Sequence, residues 1–582
     1  MSRPSLVARA LAAPRAAARR ARTDLSGGLL GLRPAPVPPP FFEADITPPG
    51  DAEAGRAMLE GRWLRFGQSF APPPEAPFWT APLPSERFAL WLHGFSWLPD
   101  LLAASRSGDG DGGTARAAEL VDGWIAEYGR YHAVAWHPDT AASRLFHWLA
   151  AWTPALAGSE SCRRSAQRQA AFLKTNLRRT TPGLPRLRAS AAVAMFGARL
   201  PADRGEAWTA RGLDALGAEV GEQILPDGGH VSRSPEALLL ALDVLRAVDA
   251  LLEARGMATP TAVRRAIDRG TPALGVFRHA DGALATFHGG GAVPVPAGPG
   301  RPFVFAPQSR FHRLQRGEEG AHTVVLVDVG GAPDFPFDGS AHLSPLAFEM
   351  SVPAGRIIVN CGWSAEQPLS WREVVRATAA HSTLTLRDRS AGELAGPDSP
   401  LCPLAGGAPV LRDASPVKAA RRESELGVLV ECEHAGYLGG TDLLHQRRLF
   451  LSDDGGDLRG EDALDLPLGR DAVIRDAVPF TVRFHLHPDV EAVPGRDGRH
   501  VRLVLGSGGG AAEWVFLVSR DDTLSVGLEP SAWLGGGAKP VPSRQIVIHG
   551  HAVPGTRRTV RWAIRSRAAL EAGRTDGQGP AQ

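Results

Sequence analysis

An α+β chain of two large domains, helical first and an antiparallel β-sandwich second, is predicted by three observations. From about residue 85 to 280, apolar residues recur at i, i+3 and i+4, the spacing of one helix face. Farther on the period falls to two, the spacing of half-buried strands. Between them Gly289-Gly290-Gly291-Ala292-Val293-Pro294-Val295-Pro296-Ala297-Gly298-Pro299-Gly300 breaks both patterns and reads as a domain linker. The length, 582 residues, also exceeds what one core sustains.

Taken in order, residues 1–50 read as a basic, Pro-rich arm. Arg3, Arg9, Arg15, Arg19, Arg20 and Arg22 precede the first acid, Asp24, and a Pro-rich run follows from Arg33 to Pro40. This arm is either a disordered tail or a basic amphipathic segment that touches anionic lipid or polymer. Residues 51–290 form the helical domain. Its helices include Ala89–Leu102, Ala115–Tyr128, Thr140–Ala157, Ser165–Leu177, Leu187–Leu200 and Ala237–Leu252. Helix upon helix without a strand implies stacked hairpins. Residues 301–570 carry a dozen strands, among them Thr323–Val329, Ala347–Val352, Ile357–Asn360, Ser382–Arg387, Thr481–His487 and Thr559–Ile564, and form a sandwich. Residues 571–582 are polar and read as a disordered tail.

Composition excludes several classes. The formal net charge is +2, so no global field argues for nucleic acid. No apolar run is long enough for a membrane span. Four cysteines without a C-x-x-C pair give neither a zinc-finger spacing nor a disulfide framework.

Candidate chemistry gathers first at Pro226-Asp227-Gly228-Gly229-His230-Val231-Ser232-Arg233-Ser234-Pro235-Glu236. A tight turn leads into a helix capped by Ser234, which sets His230 and Arg233 beside the positive end of a helix dipole. Such a site suits a carboxylate or sulfate; an ordinary cap with a solvated His and Arg is the other reading. Polar groups at strand ends follow: His342, Asn360, and the cluster from Arg372 through Arg376 to His381. His342, Asn360 and His381 could together hold a zinc ion. Arg483, His485 and His487 share one strand face, read as the wet face. Tyr437 is one of only three tyrosines and is a candidate for a groove that takes an anionic sugar.

These segments, in this order, resemble the heparinase II/III family of polysaccharide lyases. The carriers are Asp227-Gly228-Gly229-His230 with Arg233-Ser234-Pro235, His342 with Phe348-Glu349, Val359-Asn360-Cys361-Gly362, Ala379-Ala380-His381-Ser382, His445-Gln446-Arg447-Arg448 and Arg483-Phe484-His485-Leu486-His487-Pro488. The resemblance implies an incomplete (α/α) toroid on the sandwich, an acidic polysaccharide as partner, and β-elimination at a uronic acid in the cleft between the domains. It makes His230 and His381 (or His342) catalytic, with Tyr437 as an alternative proton carrier. It makes Arg233, Arg186, Arg188 and Arg376 substrate-binding, and His342, Asn360 and His381 the zinc ligands. Three departures stand out. No Tyr follows Arg233-Ser234-Pro235; Gly183-Leu184-Pro185-Arg186-Leu187-Arg188 replaces an Asn-rich stretch; and Asn360 takes the place of a zinc-binding Asp. A non-catalytic glycan-binding or export-associated protein on a lyase scaffold is therefore the second expectation. A hydrolase is disfavoured, because no carboxylate pair shows suitable spacing.

Overall fold

The computed structural model describes residues 12–32, 38–73, 76–106, 112–153, 156, 159–297, 303–318, 320–474, 476–506 and 511–576. Helices occupy the first half, as an incomplete (α/α) toroid. Leu184–Arg199 lies at its centre, buried along nearly its whole length. It packs on Pro138–Ala150, Glu160–Asn176, Ala202–Gln223 and Pro235–Ala254. A Cβ on Gly212 would meet Ala194 N at 2.2 Å, so the contact between Ala202–Gln223 and the central helix requires glycine. The i, i+3, i+4 pattern places Leu238, Ala241, Leu242, Leu245 and Val248 on the buried face of Pro235–Ala254. The stretch expected as one helix, 89–102, is two: Glu86–His93 and Leu98–Arg106. Phe95 breaks it at φ 53°, and Trp97 Nε1 donates to Leu92 O across the break at 2.9 Å.

The second half is two antiparallel sheets packed face to face. One orders its strands Val417–Ser424, Gly427–His434, Leu444–Ser452, Asp457–Asp465, Arg558–Ser566, Ala512–Val518, His500–Leu505 and Val490–Pro494. The other runs Ser525–Trp533, Val541–Ala552, Val478–Leu486, Gly355–Val359, Phe348–Val352, Thr323–Asp328, Phe311–Arg316 and Phe305–Ala306, with Leu384–Leu386 beside Val478–Leu486. Period two decides which residues fill the space between the sheets: Val428, Val430, Phe480, Val482, Phe484, Phe516 and Ile564 are all buried.

The described part of the segment expected as a linker, residues 289–297, is a strap fixed to both halves; residues 298–300 lie outside the described ones. Gly291 N donates to Glu236 Oε2 at 2.8 Å, and Ala292 N to Gly535 O at 2.7 Å. Leu284 N bonds Val293 O at 2.9 Å. The toroid core also runs on into Phe311, Val324, Leu326 and Ala347 of the sandwich. The two halves therefore share one apolar interior. Glycines are used here for close approach, not slack: a Cβ on Gly289, itself at φ 83°, would meet Ser340 at 2.9 Å.

Both ends hold a helix where one expectation was a disordered tail. Ala12–Leu32 is a helix docked on Glu160–Asn176. Asn176 Nδ2 donates to Ser26 Oγ at 3.1 Å, Arg179 Nη1 to Arg22 O at 3.0 Å and Tyr131 OH to Asp24 Oδ1 at 2.5 Å. Arg3 and Arg9 lie outside the described residues. At the C-terminus Arg567–Asp576 is helical, so the tail expected from 571 is ordered through 576; residues 577–582 lie outside the described ones. Among the described residues no helix is long and apolar enough to cross a membrane.

Candidate functional site

The turn at Asp227-Gly228-Gly229 docks on the sandwich rather than on solvent. Asp227 Oδ2 accepts from Gln308 N at 2.8 Å and Ser309 N at 2.7 Å. Ser234 caps the following helix through Ala237 N, as its sequence position requires. His230 is buried behind this turn, its Nδ1 2.7 Å from Ser232 Oγ and its Nε2 3.4 Å from Gln223 Oε1. Burial pushes its pKa down to about 4, so the ring is neutral.

Arg233, expected to bind substrate, is spent on structure. It sits at φ 59°, and its Nε donates to Ser309 O at 2.9 Å, Nη1 to Gly331 O at 2.5 Å and Nη2 to Arg310 O at 3.1 Å. Nη2 also pairs with Asp328, and both side chains are buried. The helix-start cation is neutralised by the sandwich, so it does not hold a free anion.

Asp328 links Arg233 to a run of histidines. His288 Nε2 lies 3.2 Å from Asp328 Oδ2, and His288 Nδ1 accepts from His342 N at 3.1 Å. His342 Nδ1 lies 2.8 Å from His381 Nε2, and His381 Nδ1 lies 2.9 Å from Ala377 O. Burial lowers all three imidazoles, His381 to about 4. Burial alone would raise Asp328, but the charge of Arg233 and the contact with His288 overcome it and hold the carboxyl at about 2. Arg233, His342 and His381 thus belong to one connected set, while His230 bonds within its own turn.

A pocket of about 110 Å³ opens at the junction of the two halves. Phe66 and Arg87 reach it from the toroid side; His342, Trp363, Arg372 and Arg376 line it from the sandwich. The hairpin of strands Trp63–Arg65 and Gln68–Phe70, which presents Phe66, is anchored by Gly67 N, which donates to Glu366 O at 2.6 Å. No carboxylate is among the lining residues. Arg87 lies over the Phe66 ring at 5.6 Å and has no carboxylate partner among the described residues. Burial lowers its pKa to about 10, and the positive charge of Arg372 pushes the same way. Arg372 Nη2 donates only to backbone, Gly406 O at 3.1 Å and Gly339 O at 3.4 Å.

Other expected site residues lie elsewhere or are committed. Arg376 lines the pocket, but its guanidinium is saturated: Nε to Ala341 O at 2.7 Å, Nη2 to Ala408 O at 2.7 Å, Nη1 to Glu373 at 2.9 Å. Arg186 donates to Thr180 O at 3.0 Å and faces Glu219 at 3.8 Å. Arg188 is absent from the pocket wall; Asp243 and Arg65 are its charged neighbours. Tyr437 is buried in the sandwich core with its hydroxyl on Leu384 O at 2.8 Å. Burial raises its pKa, so it is no proton carrier for this pocket.

The zinc set does not fit an ion. Asn360 spends Nδ2 on Glu349 Oε1 at 2.9 Å and Oδ1 on Ser382 N at 3.0 Å. His342 and His381 bond each other directly, which leaves only His342 Nε2 without a partner. Among the described residues no group of three His, Cys, Asp or Glu side chains could hold a metal.

Sequence reading missed Arg87, His288 and Asp328. Arg87 stands in an unremarkable helix start, Ser85-Glu86-Arg87-Phe88, and His288 precedes what looked like a linker. Only the packing of the two halves reveals them. Arg372 did stand in a segment already singled out.

Comparison with known proteins matches this layout. The family model described as "Heparinase II/III-like, C-terminal" matches residues 298–564. FtsZ-localized protein C of Caulobacter vibrioides (strain NA1000 / CB15N) is 35% identical over 533 residues, 88% of this chain and 86% of that protein. The crystal structure of heparinase III superposes with a TM-score of 0.68 at 14% identity, covering 94% of this chain and 89% of that one. A mutant of heparan sulfate lyase HepC from Pedobacter heparinus gives a TM-score of 0.58 at 14% identity over 96% and 89% of the two chains. The family match over residues 298–564, with 35% identity along 88% of the chain to a relative matched over 86% of its own length, makes this chain a member of the heparinase II/III-like family.

Proposed function

We propose that the chain binds an acidic glycan in the pocket between toroid and sandwich, as a binding protein on a lyase fold. The observation that carries this reading is the pocket wall. Arg87 feels the like charge of Arg372, and neither arginine is in an ion pair among the described residues, although Asp139 acts on Arg87 and Glu373 on Arg372 from outside the wall. Both stand beside Phe66, Trp363 and His342, with no carboxylate among the lining residues. An anion supplies what the protein leaves out, and the aromatic rings give a sugar face something to pack on. Binding is favoured over elimination because all three tyrosine hydroxyls are committed elsewhere. Tyr128 donates to Trp79 O at 3.1 Å, Tyr131 to Asp24 and Tyr437 to Leu384 O.

The test is a panel of polygalacturonate, alginate, hyaluronan and heparan sulfate, followed by calorimetry and by ultraviolet absorbance of unsaturated products. Binding without absorbance is expected. Arg87→Ala and Arg372→Ala should each weaken binding about 10–100-fold, the worth of a hydrogen bond to a charged group. Neither arginine has an ion-pair partner to lose, so both variants should stay folded. Equal affinity in the variants would reject the pocket, and unsaturated product from wild type would restore the lyase reading.

A second reading concerns place. Identity of 35% along nearly the whole chain to a protein named for FtsZ localisation supports action at an FtsZ-based division site. A fluorescent fusion should concentrate at midcell and disperse when FtsZ is depleted. An even distribution that ignores FtsZ would reject this.

A further inference from the structure

The hydrogen bonds around His342 dictate where its proton sits. His381 Nδ1 faces Ala377 O at 2.9 Å. A carbonyl only accepts, so His381 Nδ1 carries the proton. His381 is buried, no carboxylate bonds it, and its neutral ring therefore offers Nε2 as an acceptor. His342 Nδ1, 2.8 Å away, must donate to it. The lone pair of His342 is then left on Nε2, which is buried and has no partner.

The other side of His342 is fixed by the same logic. Its backbone N–H donates to His288 Nδ1 at 3.1 Å, so His288 keeps its proton on Nε2, facing Asp328 Oδ2 at 3.2 Å. Arg233 holds Asp328 in turn. Two ring nitrogens of the set are buried without a hydrogen bond: His288 Nε2, whose proton faces the Asp328 carboxylate at 3.2 Å, and His342 Nε2, the one acceptor of the two and the one carried by a residue that lines the arginine-lined pocket.

We infer that His342 is locked as the Nδ1–H tautomer, and that the pocket therefore selects an anionic sugar unit which also presents a hydroxyl: the hydroxyl donates to His342 Nε2 and the anion meets Arg87 and Arg372. The ligand half of this inference rests on the acidic-glycan reading; the tautomer half does not. A buried acceptor without a donor is costly, so a ligand that fills it gains and one that cannot loses. His342 in this tautomer has no proton on Nε2 to give, and it reads the ligand as an acceptor only.

The test is a ¹H–¹⁵N multiple-bond correlation spectrum of the full chain labelled at histidine, with His342 assigned by its loss in His342→Phe and, should that variant misfold, in His342→Gln. The expected pattern is a protonated Nδ1 and a bare Nε2 between about pH 6 and 8, in the free protein. Glucuronate should then shift the Nε2 resonance. Propionate, an anion without a hydroxyl, and glucose, a sugar without an anion, should each bind about 3–10-fold more weakly than glucuronate. A proton on Nε2, alone or together with Nδ1, overturns the lock. The expected tautomer combined with no glucuronate shift, or with propionate binding as well as glucuronate, overturns the ligand half and leaves the lock standing.

Discussion

Arg233→Ala is expected to cost about 3–5 kcal/mol of unfolding free energy, the usual effect of removing one partner from a buried ion pair. Its Asp328 partner is 1% exposed, so no water reaches the carboxylate that the substitution would strand. The guanidinium also fills the carbonyls of Ser309, Arg310 and Gly331. All of these partners belong to the sandwich, whereas Arg233 begins a toroid helix. The side chain is a rivet between the halves. Lys would not replace it, because a single ammonium cannot reach three carbonyls and a carboxylate in fixed directions. Urea unfolding measures the loss. Glycan affinity of whatever remains folded should be close to wild type. An unchanged unfolding curve with lost affinity would show that Arg233 serves a ligand after all.

That assignment shows where sequence reading stops. The order of elements was legible because periodicity reports burial, and burial depends on local spacing. Pro235–Ala254 and Val478–Leu486 announce themselves by the spacing of their apolar residues. Strands that depart from alternation stayed hidden. The adjacent acids Glu461-Asp462 look like turn residues, yet they lie in the central strand Asp457–Asp465, where Asp462 is buried against His445 at 2.7 Å, Arg447 at 2.8 Å and Trp562 at 2.9 Å. Val417–Ser424 is an exposed edge rich in Lys and Arg, the composition that guards an edge from mispairing. Motif residues were visible as types but not as roles. Arg233 looks identical in sequence whether it faces a ligand or Asp328. Arg87 acquires its role only because Phe66 and the segment from Trp363 to Arg376 close around it. A linker rich in Gly and Pro can be slack or can be a tight strap, and the contacts of Gly289 and Gly291 decide for the strap.

Acid should unfold this protein early, with the thermal midpoint falling steadily from about pH 6.5 downward. The cause is a set of buried histidines that the fold keeps neutral. Burial first, and neighbouring arginines second, push His93 and His147 down to about 3. Burial alone takes His230 to about 4. Burial likewise puts His381 at about 4 and His485 at about 3, against the backbone carbonyls that each ring faces. The unfolded chain takes up protons at the ordinary histidine value, near 6.5, while the native state refuses them until far lower. Stability is therefore complete above about pH 6.5 and is lost as the pH falls toward each folded value. One such ring costs on the order of 2–3 kcal/mol by pH 4. Five rings at half that strength already match the roughly 5–15 kcal/mol that holds a typical domain folded. The carboxylates add a second, lower phase. Burial would raise Glu349, but the hydrogen bond from His279 and the charge of Arg356 overcome it and hold the carboxyl at about 2; Asp328 sits at about 2 as well. Both carboxylates stabilise the fold above their unfolded values, near 4, and lose that contribution as the pH drops through the folded ones. Because His279 with Glu349, and Arg233 with Asp328, each bridge toroid and sandwich, this phase strikes the junction that forms the pocket. Tryptophan fluorescence during thermal ramps at stepped pH follows both phases. A midpoint that stays flat from pH 7 to 4.5 would mean the histidines are solvated or charged in the native protein, and the neutral network around His342 would fall with them.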